Sequence, residues 1–150
     1  MKCRQIREMS TTIWSFSDEY WVVCPRCSKR ALVRPSPGAA RLICVSCGAL
    51  RSWRPLARRA GIWQGGTDPY FNLPLWLKIP CGNELLWACN ERHLNFLDEY
   101  VRAENRRRTP LVPGGPRNAL LESRLPRWMK LARNREAVLA AITKMRASIA

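Results

Sequence analysis

Histidine occurs once in this sequence, at position 93, and acidic side chains number 11 against 26 basic ones. There is no Gly-rich phosphate loop and no cluster of carboxylates, and no nucleophile stands in evident partnership with a base. Asp98 and Glu99 are neighbours on a helical stretch, so they face different directions and do not form an acid/base pair. Catalysis therefore finds little support, and a non-enzyme is expected. Long apolar runs are missing too. The stretch FNLPLWLKIP (Phe71 to Pro80) is broken within a few residues, which excludes a helical membrane span there. The opening MKCRQIREMSTTIW has a charged or polar group every second or third position and lacks the apolar core of a signal peptide. The expected location is the reducing cytoplasm, where stable disulfides are unexpected, and the cysteine count of seven is odd in any case.

What is present is positive charge, unevenly placed. The formal net charge is +15. Residues 20–59 hold nine basic groups and no acidic one, residues 60–100 two basic and five acidic, and residues 101–150 twelve basic and three acidic. Two positive ends thus flank a mildly negative middle, a field that attracts polyanions, nucleic acid first. Arginine outnumbers lysine 21 to 5, which codon bias can produce, but a uniform bias does not empty forty residues of acids.

The stretch CPRCSKRALVRPSPGAARLICVSCG (Cys24 to Gly48) contains two Cys-x-x-Cys pairs. A tight turn with cysteines three positions apart points both sulfurs to one side, and a hairpin that joins two such turns makes a tetrahedron of thiolates. That is the closed geometry of a structural zinc site, with no position left for water or substrate. The flanks fit. YWVV, RALVR, RLI and ALRSW read as strands around the knuckles, and SPGAA turns the chain between the second and third. Gly48 can adopt a left-handed conformation after the second knuckle, whereas Ser28 after the first does so at higher cost. A thioredoxin-like redox pair would need one Cys-x-x-Cys at a helix start in a βαβ unit, which is not seen. An iron site of rubredoxin type uses the same four sulfurs and is the less expected metal.

Residues 20–54 resemble a zinc ribbon of the kind found in transcription factor IIB. The resemblance implies Cys24, Cys27, Cys44 and Cys47 as ligands of one structural Zn2+. The stretches LPLWLKIPC, LWACNERHLNFLDEYV and SRLPRWMKLARNREAVL resemble small bacterial zinc-ribbon proteins of uncharacterised activity, which implies a shared architecture and no activity to carry over. Of the other cysteines, Cys3 reads as a free thiol, and Cys81 and Cys89 as core packing. Cys89-x-x-x-His93 offers two ligands but no further Cys or His to close a site, unless Cys81 or Cys3 joins.

Residues 55–82 read as an aromatic, Pro- and Gly-rich connector whose Trp63, Tyr70, Phe71 and Trp76 pack ribbon against helices rather than stack on bases. Helical periodicity follows. Leu94, Leu97, Tyr100 and Val101 share one face of a helix over 90–108, capped by Asn90, with Glu91 in the first turn and Arg106, Arg107 and Arg108 at the end. TPLVPGGP ends it. Pro126 suits the first turn of a helix PRWMKLAR, and Asn134 a cap for a last helix whose Val138, Leu139, Ile142, Met145 and Ile149 form an apolar stripe. The last two can be drawn as a helix-turn-helix, or as a helical packing layer.

The expected fold class is α+β, a small N-terminal β zinc ribbon packed on a C-terminal helical module. The expected segments are 1–19, the ribbon 20–54, the connector 55–89 and a basic helical module 90–150. The expected function is nucleic-acid binding without catalysis. Phosphate would be met by Arg26, Lys29, Arg30, Arg34 and Arg41 on the ribbon and by Arg106, Arg107, Arg108, Arg127, Lys130, Arg133 and Arg135 behind it. The alternative is a protein-interaction adaptor or regulator that docks a larger partner through the ribbon edge or the connector. Neither a membrane nor a small-molecule substrate is expected as a partner.

Overall fold

Alternating burial builds the first sheet. The computed structural model describes residues 16–55, 66–103 and 125–149. Strands β1 (Tyr20–Val23), β2 (Arg30–Ser36), β3 (Ala39–Ile43) and β4 (Leu50–Trp53) form an antiparallel sheet in the order β1-β2-β3-β4. Tyr20 and Val22, Ala31 and Val33, and Ala40 and Leu42 point to one face and are buried. Val22, Val33 and Leu42 have no exposure at all, and removing each from water stabilises the fold by about 2 kcal/mol. Pro37 and Gly38 make the two-residue turn between β2 and β3. Gly38 has φ +68°, and a Pro-Gly pair at the centre of a type II turn calls for a positive φ at the second position.

The buried face rests on residues 66–75. Asp68 organises that loop: its carboxylate accepts hydrogen bonds from the backbone N–H groups of Tyr70 (3.0 Å), Phe71 (2.7 Å) and Leu73 (2.6 Å). Tyr70 is thereby held edge-on to both Tyr20 (6.2 Å between centroids) and Trp53 (4.9 Å). The free border of β1 is also tied down. Trp21 N–H donates to Cys89 C=O (2.7 Å), Val23 N–H to Pro74 C=O (2.9 Å) and Trp76 N–H to Trp21 C=O (2.8 Å).

The segment expected as a connector contains a β-hairpin. Strands β5 (Leu77–Cys81) and β6 (Glu84–Ala88) pair antiparallel around Gly82 and Asn83. Pro80 hides the strand in the sequence; in a two-stranded ribbon its missing N–H is tolerated on the side that faces no partner. Tyr70, Phe71 and Trp76 pack against the core, as the packing interpretation requires.

Helix α1 (Glu91–Arg102) begins at Asn90, whose side-chain oxygen accepts from His93 N–H (3.0 Å). The same amide donates to the carbonyls of Phe16 (2.9 Å) and Glu19 (2.8 Å) and so fixes the entry to β1. His93, Leu94, Phe96, Leu97 and Val101 are buried. The next described helix, α2 (Arg127–Lys130), is a single turn. Leu131 is extended, a 3-10 turn follows over Ala132–Asn134, and α3 (Arg135–Ala147) buries Val138, Ala141, Ile142 and Met145. Two expectations are corrected here. The helix over PRWMKLAR stops after Lys130, which leaves a single turn ahead of α3. Asn134 does not cap α3 through its side chain, because its amide donates to Trp128 C=O (2.8 Å) instead. Helix α3 packs on β5 and α1, and α1 on β6. The α+β class holds: an antiparallel four-stranded region followed by a helical one, joined in a single core. Among the described residues no helix is long and apolar enough to cross a membrane.

Candidate metal centre and the outer face of the sheet

The two knuckles are built alike. In the first, Cys24 N–H donates to Lys29 C=O (2.8 Å) and Ser28 N–H to Cys24 C=O (2.9 Å). In the second, Cys44 N–H donates to Ala49 C=O (2.9 Å) and Gly48 N–H to Cys44 C=O (2.8 Å). The residue that closes each turn has a positive φ: +74° at Gly48 and +61° at Ser28. Ser28 therefore adopts the left-handed conformation despite its side chain.

The β1–β2 and β3–β4 connections bring the knuckles together. The sulfurs of Cys24, Cys27, Cys44 and Cys47 all lie within 4.8 Å of one another, with Cys24 to Cys47 at 3.7 Å and Cys27 to Cys44 at 3.5 Å. Four sulfurs held about 2.3 Å from one ion stand about 3.8 Å apart, so the quartet fits a tetrahedral metal. None of the four is in a disulfide. Cys24 and Cys44 are buried and Cys27 and Cys47 half-buried.

Electrostatics agrees with a cation between them. Burial works to raise the Cys24 thiol, but backbone N–H groups of Cys27 and Arg26 and the neighbouring thiols outweigh it and bring it down to about 6. At Cys27 a backbone hydrogen bond at Lys29 favours the thiolate, yet burial and the sulfurs of Cys44, Cys47 and Cys24 prevail and push it up to about 12. Thiolates this close repel, and the quartet can ionise fully only when a cation binds among them. The four cysteines can thus hold a metal ion.

The second cysteine–histidine pair is occupied otherwise. His93 Nδ1 accepts from Cys89 N–H (3.0 Å), and its ring stacks on Phe16 at 5.0 Å and meets Trp87 edge-on at 5.6 Å. Burial lowers its pKa to about 4 and raises the Cys89 thiol to about 12.

Strand register decides what the other face of the sheet presents. Trp21 pairs with Leu32, Leu32 with Ile43 and Ile43 with Leu50, one apolar row across all four strands. Arg30 lies on one side of the row and the pair Arg34–Arg41 on the other. The Arg30 guanidinium sits 4.3 Å from the Trp21 ring centroid. Arg34, exposed, makes an ion pair with the half-buried Glu19 (3.5 Å), and Glu19 also accepts from Trp21 Nε1 (2.6 Å). Leu50 is 73% exposed, and Val45 at the second knuckle 85%.

Of the expected phosphate contacts, Arg30, Arg34 and Arg41 gather on this face, while Arg26 and Lys29 are exposed on the first knuckle. Arg127 and Arg133 line an open cavity of about 720 Å³ with Glu84, Trp128, Leu131 and Ala132. Lys130 is half-buried, and Arg135 is turned to the C-terminal end of α1, where it donates to Arg102 C=O (2.7 Å). Arg106, Arg107 and Arg108 lie outside the described residues, as does Trp63. The apolar row was not found in sequence. Alternation in the strands carries its signal, but only the register aligns the four positions. No protein-family model, curated protein or solved structure matches the chain.

Proposed function

We propose that this is a zinc-ribbon protein that binds nucleic acid and performs no catalysis. Zn2+ is the ion that best suits four thiolates in closed tetrahedral array, and it leaves no open position for chemistry. Its role is to shape a stretch too short to bury a core of its own. The observation that supports the reading is the outer face of the sheet, which carries Arg30, Arg34 and Arg41, with Glu19 paired to Arg34. Arg127 and Arg133 add a second basic surface. Guanidinium groups suit phosphate because their planar fork donates two hydrogen bonds at once.

Metal analysis of the purified protein should return one zinc per chain. Affinity for nucleic acid should then fall steeply with salt. If about six cationic groups neutralise phosphates, the loss is on the order of a thousandfold between 50 and 200 mM. An isotherm that hardly moves over that range counts against the proposal. A second reading, a docking module for a protein partner, is favoured by the exposure of Val45 and Leu50. Partners recovered from extract that survive nuclease treatment support that reading, and partners that vanish support the first.

A further inference from the structure

Resting on that nucleic-acid reading, we infer that the outer face of the ribbon is a platform for the unpaired bases of a single strand, which lie along Trp21, Leu32, Ile43 and Leu50 while phosphates meet Arg30, Arg34 and Arg41. The row crosses three strand-to-strand steps, about 14 Å, and the arginines stand about 7 Å to either side of it. A duplex keeps its bases stacked inside and would press sugar and phosphate onto Leu50 and Ile43, desolvating an apolar row for no gain. A single strand has both surfaces this face asks for: apolar base planes and, beside them, charge. Nucleic-acid modules of this kind combine a basic track with side chains on which bases stack. Trp21 and Arg30 form a stack already. The guanidinium over the indole offers its outer plane to one base, and bases stack on arginine planes as they do on aromatic rings. An acidic amphipathic peptide would also complement this face, but the guanidinium over Trp21 favours the strand, whose bases stack on such a plane.

The test uses the metal-loaded full chain and strands of about 16 nucleotides of mixed sequence, RNA and DNA, single and annealed. Single strands should bind at least about tenfold more tightly than the duplex. Trp21→Leu should weaken single-strand binding on the order of tenfold, and Leu50→Ser, at a position exposed enough to leave folding intact, roughly fivefold. Leu50→Ser should leave duplex affinity and the salt slope unchanged, whereas Arg41→Ala should weaken binding of both ligands. Equal affinity for single strand and duplex, with Trp21→Leu and Leu50→Ser silent, overturns the base platform and leaves phosphate binding in place. No binding to any nucleic acid overturns both. Tighter binding of an acidic amphipathic helical peptide, abolished by Leu50→Ser, also overturns the platform.

Discussion

Ser28 and Gly48 close equivalent turns, and only glycine does so without strain. A side chain in the left-handed region costs roughly 1 kcal/mol. Ser28→Gly should raise the melting temperature of the metal-loaded protein, by about 1 kcal/mol in stability, and Gly48→Ala should lower it by about the same amount. Nothing lies within 4 Å of a Cβ built on Gly48, so the effect of Gly48→Ala isolates backbone strain. His93 gives a pH prediction. Its pKa is about 4 in the fold and about 6.5 in the unfolded chain. Between these values only the unfolded state takes up the proton, so stability is whole above pH 6.5 and drains away as pH falls towards 4. The loss is on the order of 3 kcal/mol. Denaturant titrations of the wild type and His93→Asn, which keeps an acceptor for Cys89 N–H, should converge as pH falls through this window. Acid release of metal affects both proteins alike and cancels in the difference. The clustering of Cys24, Cys27, Cys44 and Cys47 was legible at this scale because the spacing itself carries the geometry. The strained φ of Ser28 was not, since the identity of the residue argues against it. Asn90 was legible as a cap, but Asn134 was not, because its amide answers to a carbonyl freed where α2 stops.

At the scale of elements, strands β1–β4 were legible from β-branched and aromatic residues around turns, and α1 and α3 from their apolar faces. The β5–β6 hairpin was obscured by Pro74 and Pro80 and by aromatics that read as connector. What joins α1 to α3 is a polar clasp beside the apolar contact. Asp98 holds Arg102 (2.7 Å) and Arg146 (3.0 Å), and Arg146 also donates to Asn95 (2.7 Å). Asp98→Asn should cost about 1 kcal/mol in a denaturant titration, since the groups are partly shielded but still reach water. Chelation, or Cys44→Ser, should have a larger and differently placed effect. Protons on β1–β4 should lose protection in hydrogen exchange, because metal-binding free energy is folding free energy in a site of this size. Protection in α1, α3 and β5–β6 should persist, as those elements bury their apolar faces against one another. Uniform loss of protection would show that the sulfur quartet holds the entire molecule.

For the molecule as a whole, composition foretold a positive body, and the structure places three of its arginines, Arg30, Arg34 and Arg41, on the outer face of one sheet. The borders of that sheet differ in a way that limits self-association. On the β1 side, residues 74–76 and Cys89 already fill the backbone positions a newcomer would need. On the β4 side no described residue does so, although Arg51 within the strand and Pro55 just beyond it discourage pairing. Were two copies to pair there, back to back, each would still present only a closed β1 border, so growth strand by strand would stop at two.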